Sequence, residues 1–253
     1  MLAEKVAGSA DKAVELMNSR AKMLGMNDTV YTDCTGMGEG NVTTAKDTAL
    51  LCSELAKYKN LTPYLTCWLD TVRDGKAELV NLNRLVRTYK GVTGMKAWGS
   101  EKAGSCIAAT AEKGDMSVCV VLNGCDSQED MNAEAKKLLN LAFDTYEIYT
   151  PELPEDMVKE TVVCGGEELS VELAPKGLYP IVIPRGTYRM VECDFTAEEM
   201  LDAPVKKGET AGEIRYTMGG EVILEGKIVA CKEVKEMNFI CGIKKLVYNL
   251  LSM

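Results

Sequence analysis

Residues 91–124 read GVTGMKAWGSEKAGSCIAATAEKGDMSVCVVLNG, and the fold turns on how this stretch divides. Two runs inside it, SCIAATAEKGD and MSVCVVLNG, have the apolar, strand-forming character of paired strands. A short polar turn at Glu112 to Asp115 joins them, so an antiparallel hairpin is predicted. Upstream, Lys96 sits in a segment ready to extend a strand, followed by Gly-Ser and a turn of small residues. That placement suits a strand whose lysine faces a substrate, and equally a solvated sheet edge. Downstream, Ser127-Gln-Glu-Asp130 has the spacing of a helix cap, and Met131, Ala135, Leu138, Leu139, Ala142 and Phe143 form one stripe. A helix is therefore predicted to cover the hairpin.

Toward the N-terminus, Val6, Ala10, Ala13, Val14, Met17, Ala21 and Leu24 recur at helical spacing until Gly25, which predicts one helix from Leu2 to Leu24. Residues 33–42 (DCTGMGEGNV) carry three glycines and read as a loop. Thr44-Ala-Lys-Asp47 then opens a second helix, TALLCSELAKY, with capping-box spacing. Between residues 58 and 90 the pattern is mixed, although TVRDGKAELV predicts a small hairpin turning at Asp74-Gly75.

The composition changes at YTPELPEDM (149–157), where two prolines and a cluster of acidic residues mark a linker. Beyond it LSVELA, LYPIVIP, YRMVECDF, GEIRYTM and EVILEGKIVACKEV have strand character, and Gly219-Gly220 supplies the positive φ angles of a tight hairpin. The predicted fold class is α+β: a first domain over 1–148 with helices on an antiparallel sheet, then an all-β domain over 149–236. The final stretch, 237–253, returns to helical period with Phe239, Ile243, Leu246, Val247 and Leu250 on one side and Lys244, Lys245 and Asn249 on the other. It is predicted to be an amphipathic helix.

Composition narrows the chemistry. With 253 residues, 46% apolar and 26% charged, the chain can bury a full core and has length for two domains. A net charge of −9 argues against a nucleic-acid surface, which needs clustered cations. The absence of histidine removes Ser-His-Asp and Cys-His triads and most zinc sites, leaving lysine, carboxylate or tyrosine as the base of any hydrolase. Ten cysteines occur without one C-x-x-C, so neither a metal ribbon nor a redox motif is expected. In SVCVVL and KIVACKEV they read as small buried hydrophobes. The first residues do not have the pattern of a signal peptide, and no run of 18 apolar residues exists to span a bilayer.

The segments AEKVAGS, LMNSRAKMLGM, TTAKDTALL, NRLVRTYKGVTGMK, AGSCIAATAEKGDMSVCVVL and EAKKLLNLAF resemble, in order and spacing, the serine-type D-alanyl-D-alanine carboxypeptidases, the low-molecular-mass penicillin-binding proteins. The likeness continues through IPRG (183–186) and covers nearly the whole chain. Members of that family use S-x-x-K, S-x-N and K-T-G boxes. The resemblance implies a penicillin-binding domain followed by a β-rich domain, a serine nucleophile activated by a lysine, and no cofactor or metal. It implies as partners a peptidoglycan stem peptide ending in D-Ala-D-Ala, β-lactams where the first two boxes are supplied, and a membrane surface met through 237–253. The implied location is the extracytoplasmic face of the bacterial cytoplasmic membrane.

By the same resemblance Lys96 aligns with the lysine of the third box, the anion-recognition position on an active-site strand. The family's threonine and glycine are replaced by Ala97 and Trp98. The carboxylate-binding hydroxyl is thereby lost, and an indole stands where the substrate backbone would lie. The backbone N–H of Gly99 corresponds to the second oxyanion donor, and a one-residue slip would instead equate Gly99 with the family glycine. The first two boxes are missing from this chain, which the resemblance implies is a truncated or degenerate member that was cut or never had them, or one whose missing boxes lie just upstream of Met1. Ser9-Ala-Asp-Lys12 and Ser19-Arg-Ala-Lys22 satisfy S-x-x-K by spacing but fall on the first helix, and Tyr58-Lys-Asn60 imitates a second box after the wrong helix. The expectation is a chain inactive by itself, with a non-catalytic cell-wall or membrane-associated scaffold as the alternative.

Overall fold

The computed structural model describes residues 1–38 and 40–239. Most of the predicted terminal helix, from residue 240 on, lies outside them. The chain divides into two compact units, Met1–Thr145 and the residues from Tyr146 on.

The first unit opens with α1 (Leu2–Ala7) and α2 (Ala10–Met23) rather than one continuous helix. Gly8 takes φ 84° and ends α1, its N–H donating to the Glu4 carbonyl at 2.7 Å. Ser9 then caps α2, its hydroxyl accepting from the Lys12 N–H at 3.2 Å. Periodicity alone carries through such a break, because the apolar spacing continues on both sides of it. Then come α3 (Ala45–Leu55), α4 (Thr62–Leu65), a small antiparallel hairpin of β1 (Leu69–Val72) and β2 (Ala77–Val80), and α5 (Leu85–Thr88). The hairpin turns at Asp74-Gly75 as the sequence predicts.

A three-stranded antiparallel sheet forms the centre, in the order β3 (Val92–Ser100), β4 (Gly104–Lys113), β5 (Met116–Cys125). Residues Cys106 to Ala111 of β4 are no more than 2% exposed, so both faces of the strand are covered. Ala108 clusters with Cys52 of α3 and with Cys119 and Val121 of β5. Side chains alternate along a strand, so Ile107, Ala109 and Ala111 face the other side, where α6 (Gln128–Thr145) packs on β4 and β5. The Ser127 hydroxyl caps α6, accepting from the Asp130 N–H at 3.0 Å. Its buried face is Met131, Ala135, Leu139 and Phe143; Leu138, counted in the predicted stripe, is 38% exposed.

Two polar knots brace the segment before the sheet. Asp47, 2% exposed, accepts from the Asp28 N–H at 2.9 Å and the Thr29 hydroxyl at 2.7 Å, and the Thr44 hydroxyl caps its own N–H at 3.1 Å. Asp33 gathers the N–H groups of Thr35, Gly36 and Gly38, the Thr35 hydroxyl and the Asn41 amide. The Thr35 hydroxyl, the largest influence, together with these amides holds its carboxyl at about 2.

The second unit contains β6 (Tyr146–Tyr149), β7 (Glu160–Cys164), β8 (Ser170–Lys176), β9 (Ile181–Pro184), β10 (Val191–Ala197), β11 (Met200–Asp202), β12 (Thr210–Met218) and β13 (Glu221–Ala230). Six of them form a sheet in the order β10-β12-β13-β8-β7-β11, antiparallel except for β7 with β11, while β6 pairs with β9. Gly219 and Gly220 turn β12 into β13 with φ of 60° and 82°. The core includes Val171, Ile214, Ile228 and Tyr216, each 0% exposed. Burial alone would strand the Tyr216 hydroxyl, but it donates to the Glu152 carbonyl at 2.9 Å, and its ring meets Tyr149 edge-on at 6.3 Å. The mixed α+β architecture, helices on an antiparallel sheet and then a β domain, is the predicted class.

Candidate active-site strand

β3 is an edge strand of its sheet. From Gly94 opposite Thr110 to Ser100 opposite Gly104 it runs in unbroken antiparallel register with β4, without a bulge near Lys96. Two contacts fix the start of this run. The Thr93 hydroxyl donates to that of Thr110 at 2.8 Å, and fully buried Asn83 donates its amide to the Gly94 carbonyl at 3.3 Å. The Asn83 Oδ1 accepts from the Leu85 N–H at 3.1 Å, so the side chain ties α5 to β3. Leu65 of α4 approaches so closely that a Cβ on Gly94 would stand 3.1 Å from its own Cβ.

Lys96 lies opposite Ala108 on this braced strand and is exposed. Among the described residues no carboxylate or carbonyl pairs with its ammonium. Trp98, two residues on and therefore on the same face, is half-buried against the cluster of Cys52, Met95 and Ala108. Ala97 points to the opposite face and is 3% exposed. Gly99 is exposed, and a Cβ there would come within 2.9 Å of the Gly104 carbonyl, so glycine permits the close approach of β3 to β4. Thus Lys96, Trp98 and Gly99 share an accessible strand edge, while Ala97 contributes backbone only.

The same cluster brings together the thiols of Cys52 and Cys119. The interaction with Cys119 pulls Cys52 below an ordinary thiol, and the same interaction, helped by burial, pushes Cys119 up. All nine cysteines in the described residues are free. No group of three acidic or sulfur side chains among the described residues converges as metal ligands, and no helix there is long and apolar enough to cross a membrane.

The structure places the S-x-x-K look-alikes outside any nucleophile arrangement. Ser9 is occupied as the cap of α2, Ser19 and Lys22 are exposed on that helix, and Tyr58, Lys59 and Asn60 lie in an exposed turn where Lys59 pairs with Glu112. Sequence reasoning missed Asn83 as a brace of the strand. Its only sequence signal is an asparagine next to an apolar run, which is equally a turn residue.

Two family descriptions match the chain: D-alanyl-D-alanine carboxypeptidase over residues 1–126, and the C-terminal domain of penicillin-binding protein 5 over residues 143–236. The chain belongs to the D-alanyl-D-alanine carboxypeptidase family. It is 31% identical to the carboxypeptidase DacF of Bacillus subtilis over 249 residues, covering 96% of this chain and 64% of that protein. It is also 31% identical to DacC of Escherichia coli, covering 94% of this chain and 60% of that one. The chain therefore spans less than two thirds of these relatives. A crystal structure of penicillin-binding protein 5 from Haemophilus influenzae superposes with a TM-score of 0.78 at 25% identity, over 93% of this chain and 69% of that one. The match to the carboxypeptidase description ends at residue 126, so it takes in all of β3 and Lys96.

Proposed function

We propose that this chain acts in peptidoglycan maturation as the part of a D-alanyl-D-alanine carboxypeptidase fold that recognises the end of a stem peptide. Lys96 receives the terminal carboxylate of a D-Ala-D-Ala peptide lying along the β3 edge. The observation that carries this is an exposed ammonium, without a partner among the described residues, on an edge strand whose start is locked by Asn83 and Thr93. A rigid strand presents the charge at a fixed place, and the free backbone edge offers hydrogen bonds to an extended ligand. Ala97 brings no hydroxyl and the Trp98 indole narrows the edge, so recognition rests on the lysine charge and the backbone.

The proposal includes a chain that does not cleave the peptide by itself. Among the described residues, the serine hydroxyls in hydrogen bonds serve turns, caps and a carboxylate: Ser9, Ser100, Ser127 and Ser170 bond Lys12 N–H, Ala103 N–H, Asp130 and Glu160 respectively. None of these hydroxyls bonds a lysine side chain whose neutral amine could take its proton, and an unactivated hydroxyl is a poor nucleophile. Membrane association through 237–253 and an extracytoplasmic location belong to the same proposal; they rest on the one-sided apolar pattern of that segment and on the place where such a substrate is found.

Calorimetry with a tripeptide ending in D-Ala-D-Ala, as free acid and as C-terminal amide, tests the recognition. The acid should bind and the amide and Lys96→Ala should each lose about tenfold, the size of one charge-assisted contact. Equal binding of acid and amide refutes the role of Lys96. A covalent adduct with a fluorescent penicillin refutes the inactivity.

A further inference from the structure

The second unit carries a charged cavity of about 530 Å³ that has no part in the reading above. It opens on the outer face of the large sheet where β8, β12 and β13 run side by side. In one row across the strands stand Glu213, Lys227 and Lys176, and in the next Arg215 and Glu225. Lys227 and Lys176 are direct cross-strand partners, an arrangement of like charges that weakens a sheet unless something negative lies between them.

The two carboxylates do not fill that role. Arg215 engages both, its Nη2 at 2.8 Å from Glu213 and its Nε at 3.2 Å from Glu225. Neither Lys176 nor Lys227 has a hydrogen-bond or ion-pair partner among the described residues. The cavity thus holds three cations against two carboxylates in a chain of net charge −9, with the surplus concentrated on the lysine pair. Thr210 offers a hydroxyl, and Gly177 and Gly226 line the wall with backbone alone. The volume falls in the range of small-ligand sites, and no aromatic side chain lines it to stack on a flat ring.

We propose that this cavity binds a hydroxyl-rich small molecule or polymer unit bearing an oxyanion, a phosphorylated or carboxylated sugar or polyol, with the anion between Lys176 and Lys227. The site is independent of Lys96 and of the carboxypeptidase reading, and lies in a different unit. Ligand binding relieves the repulsion between the lysines, and the surface position makes it salt-sensitive.

The test uses the full chain labelled with nitrogen-15, titrated separately with glycerol 3-phosphate, glucuronic acid and neutral glucose. Shifts confined to the amides of β8, β12 and β13 are expected with one or both anions and not with glucose. A response to phosphate alone or to carboxylate alone supports the site and identifies its source of charge. Lys176→Gln and Lys227→Gln should each weaken the response at least tenfold, while Lys232→Gln, whose lysine is paired with Glu168, should not. The two site variants should also melt no lower than the parent, because each removes one of two opposed charges. No response to either anion, equal response to glucose, or binding unchanged in both variants overturns the proposal.

Discussion

Replacing Trp98 by alanine separates two roles for the indole at the candidate site. The side chain is half-buried against Cys52, Met95 and Ala108, with Leu55, Ala56 and Leu65 packed on the same cluster. A fully buried tryptophan truncated to alanine costs about 3–5 kcal/mol, so a half-buried one should cost roughly 2 kcal/mol. Trp98→Gly should cost up to about 1 kcal/mol more through backbone freedom in a strand. Urea unfolding followed by helical circular dichroism is the assay, since α1 to α6 all lie in the first unit. With a slope of about 1–3 kcal/mol per molar urea, the midpoint should fall by roughly 1 M. A fall below about 0.3 M would show that the indole is displayed at the edge rather than packed, and the account of a narrowed recognition strand would fail. If the account holds, opening the edge for substrate and keeping the unit stable are in conflict at this position.

Other consequences follow from the polar knots and the thiols. Asp47→Ala leaves the Asp28 N–H and the Thr29 hydroxyl without their acceptor in a buried site, and should destabilise the first unit by about 2–4 kcal/mol in the same urea assay. Asp33 is held at about 2, below its unfolded value of about 3.9, so its contribution is complete above pH ~4 and is lost as the pH falls toward 2. Asp33→Asn should therefore flatten the acid limb of a thermal-melt profile, and an unchanged limb would refute this. Alkylation by iodoacetamide followed by peptide mass spectrometry should label exposed Cys67 and Cys164 first and buried Cys52 and Cys106 last.

The elements readable from sequence were those whose signals are local. The β4–β5 hairpin, the Gly219-Gly220 turn and the caps at Ser127 and Thr44 each depend on a few adjacent residues, and each stands where the pattern put it. The break at Gly8-Ser9 escaped because the apolar spacing runs on across it, and only the bond of the Ser9 hydroxyl to the Lys12 N–H marks the new cap. Leu138 escaped for a different reason: its spacing fits the stripe, but the seam against β4 and β5 is only as wide as Met131, Ala135, Leu139 and Phe143. At the site, Lys96 and its exposed edge were legible through the likeness of the whole region. Asn83 was not, nor the facing of Ala97 away from the edge as something more than alternation. The opposition of Lys176 and Lys227 depends on strand order and register, which join residues about fifty positions apart and leave no trace in either local segment.

β4 is covered on both faces, and β12 of the second unit is covered on one, where Ala211, Ile214 and Tyr216 are 0% exposed. Backbone amides in such strands exchange with deuterium only when the surrounding unit opens as a whole. Each strand is thus a built-in clock for its own unit. Protection measured at Ala108 and at Ile214 in one sample would report two separate opening free energies and reveal whether the halves of this chain come apart together or in turn.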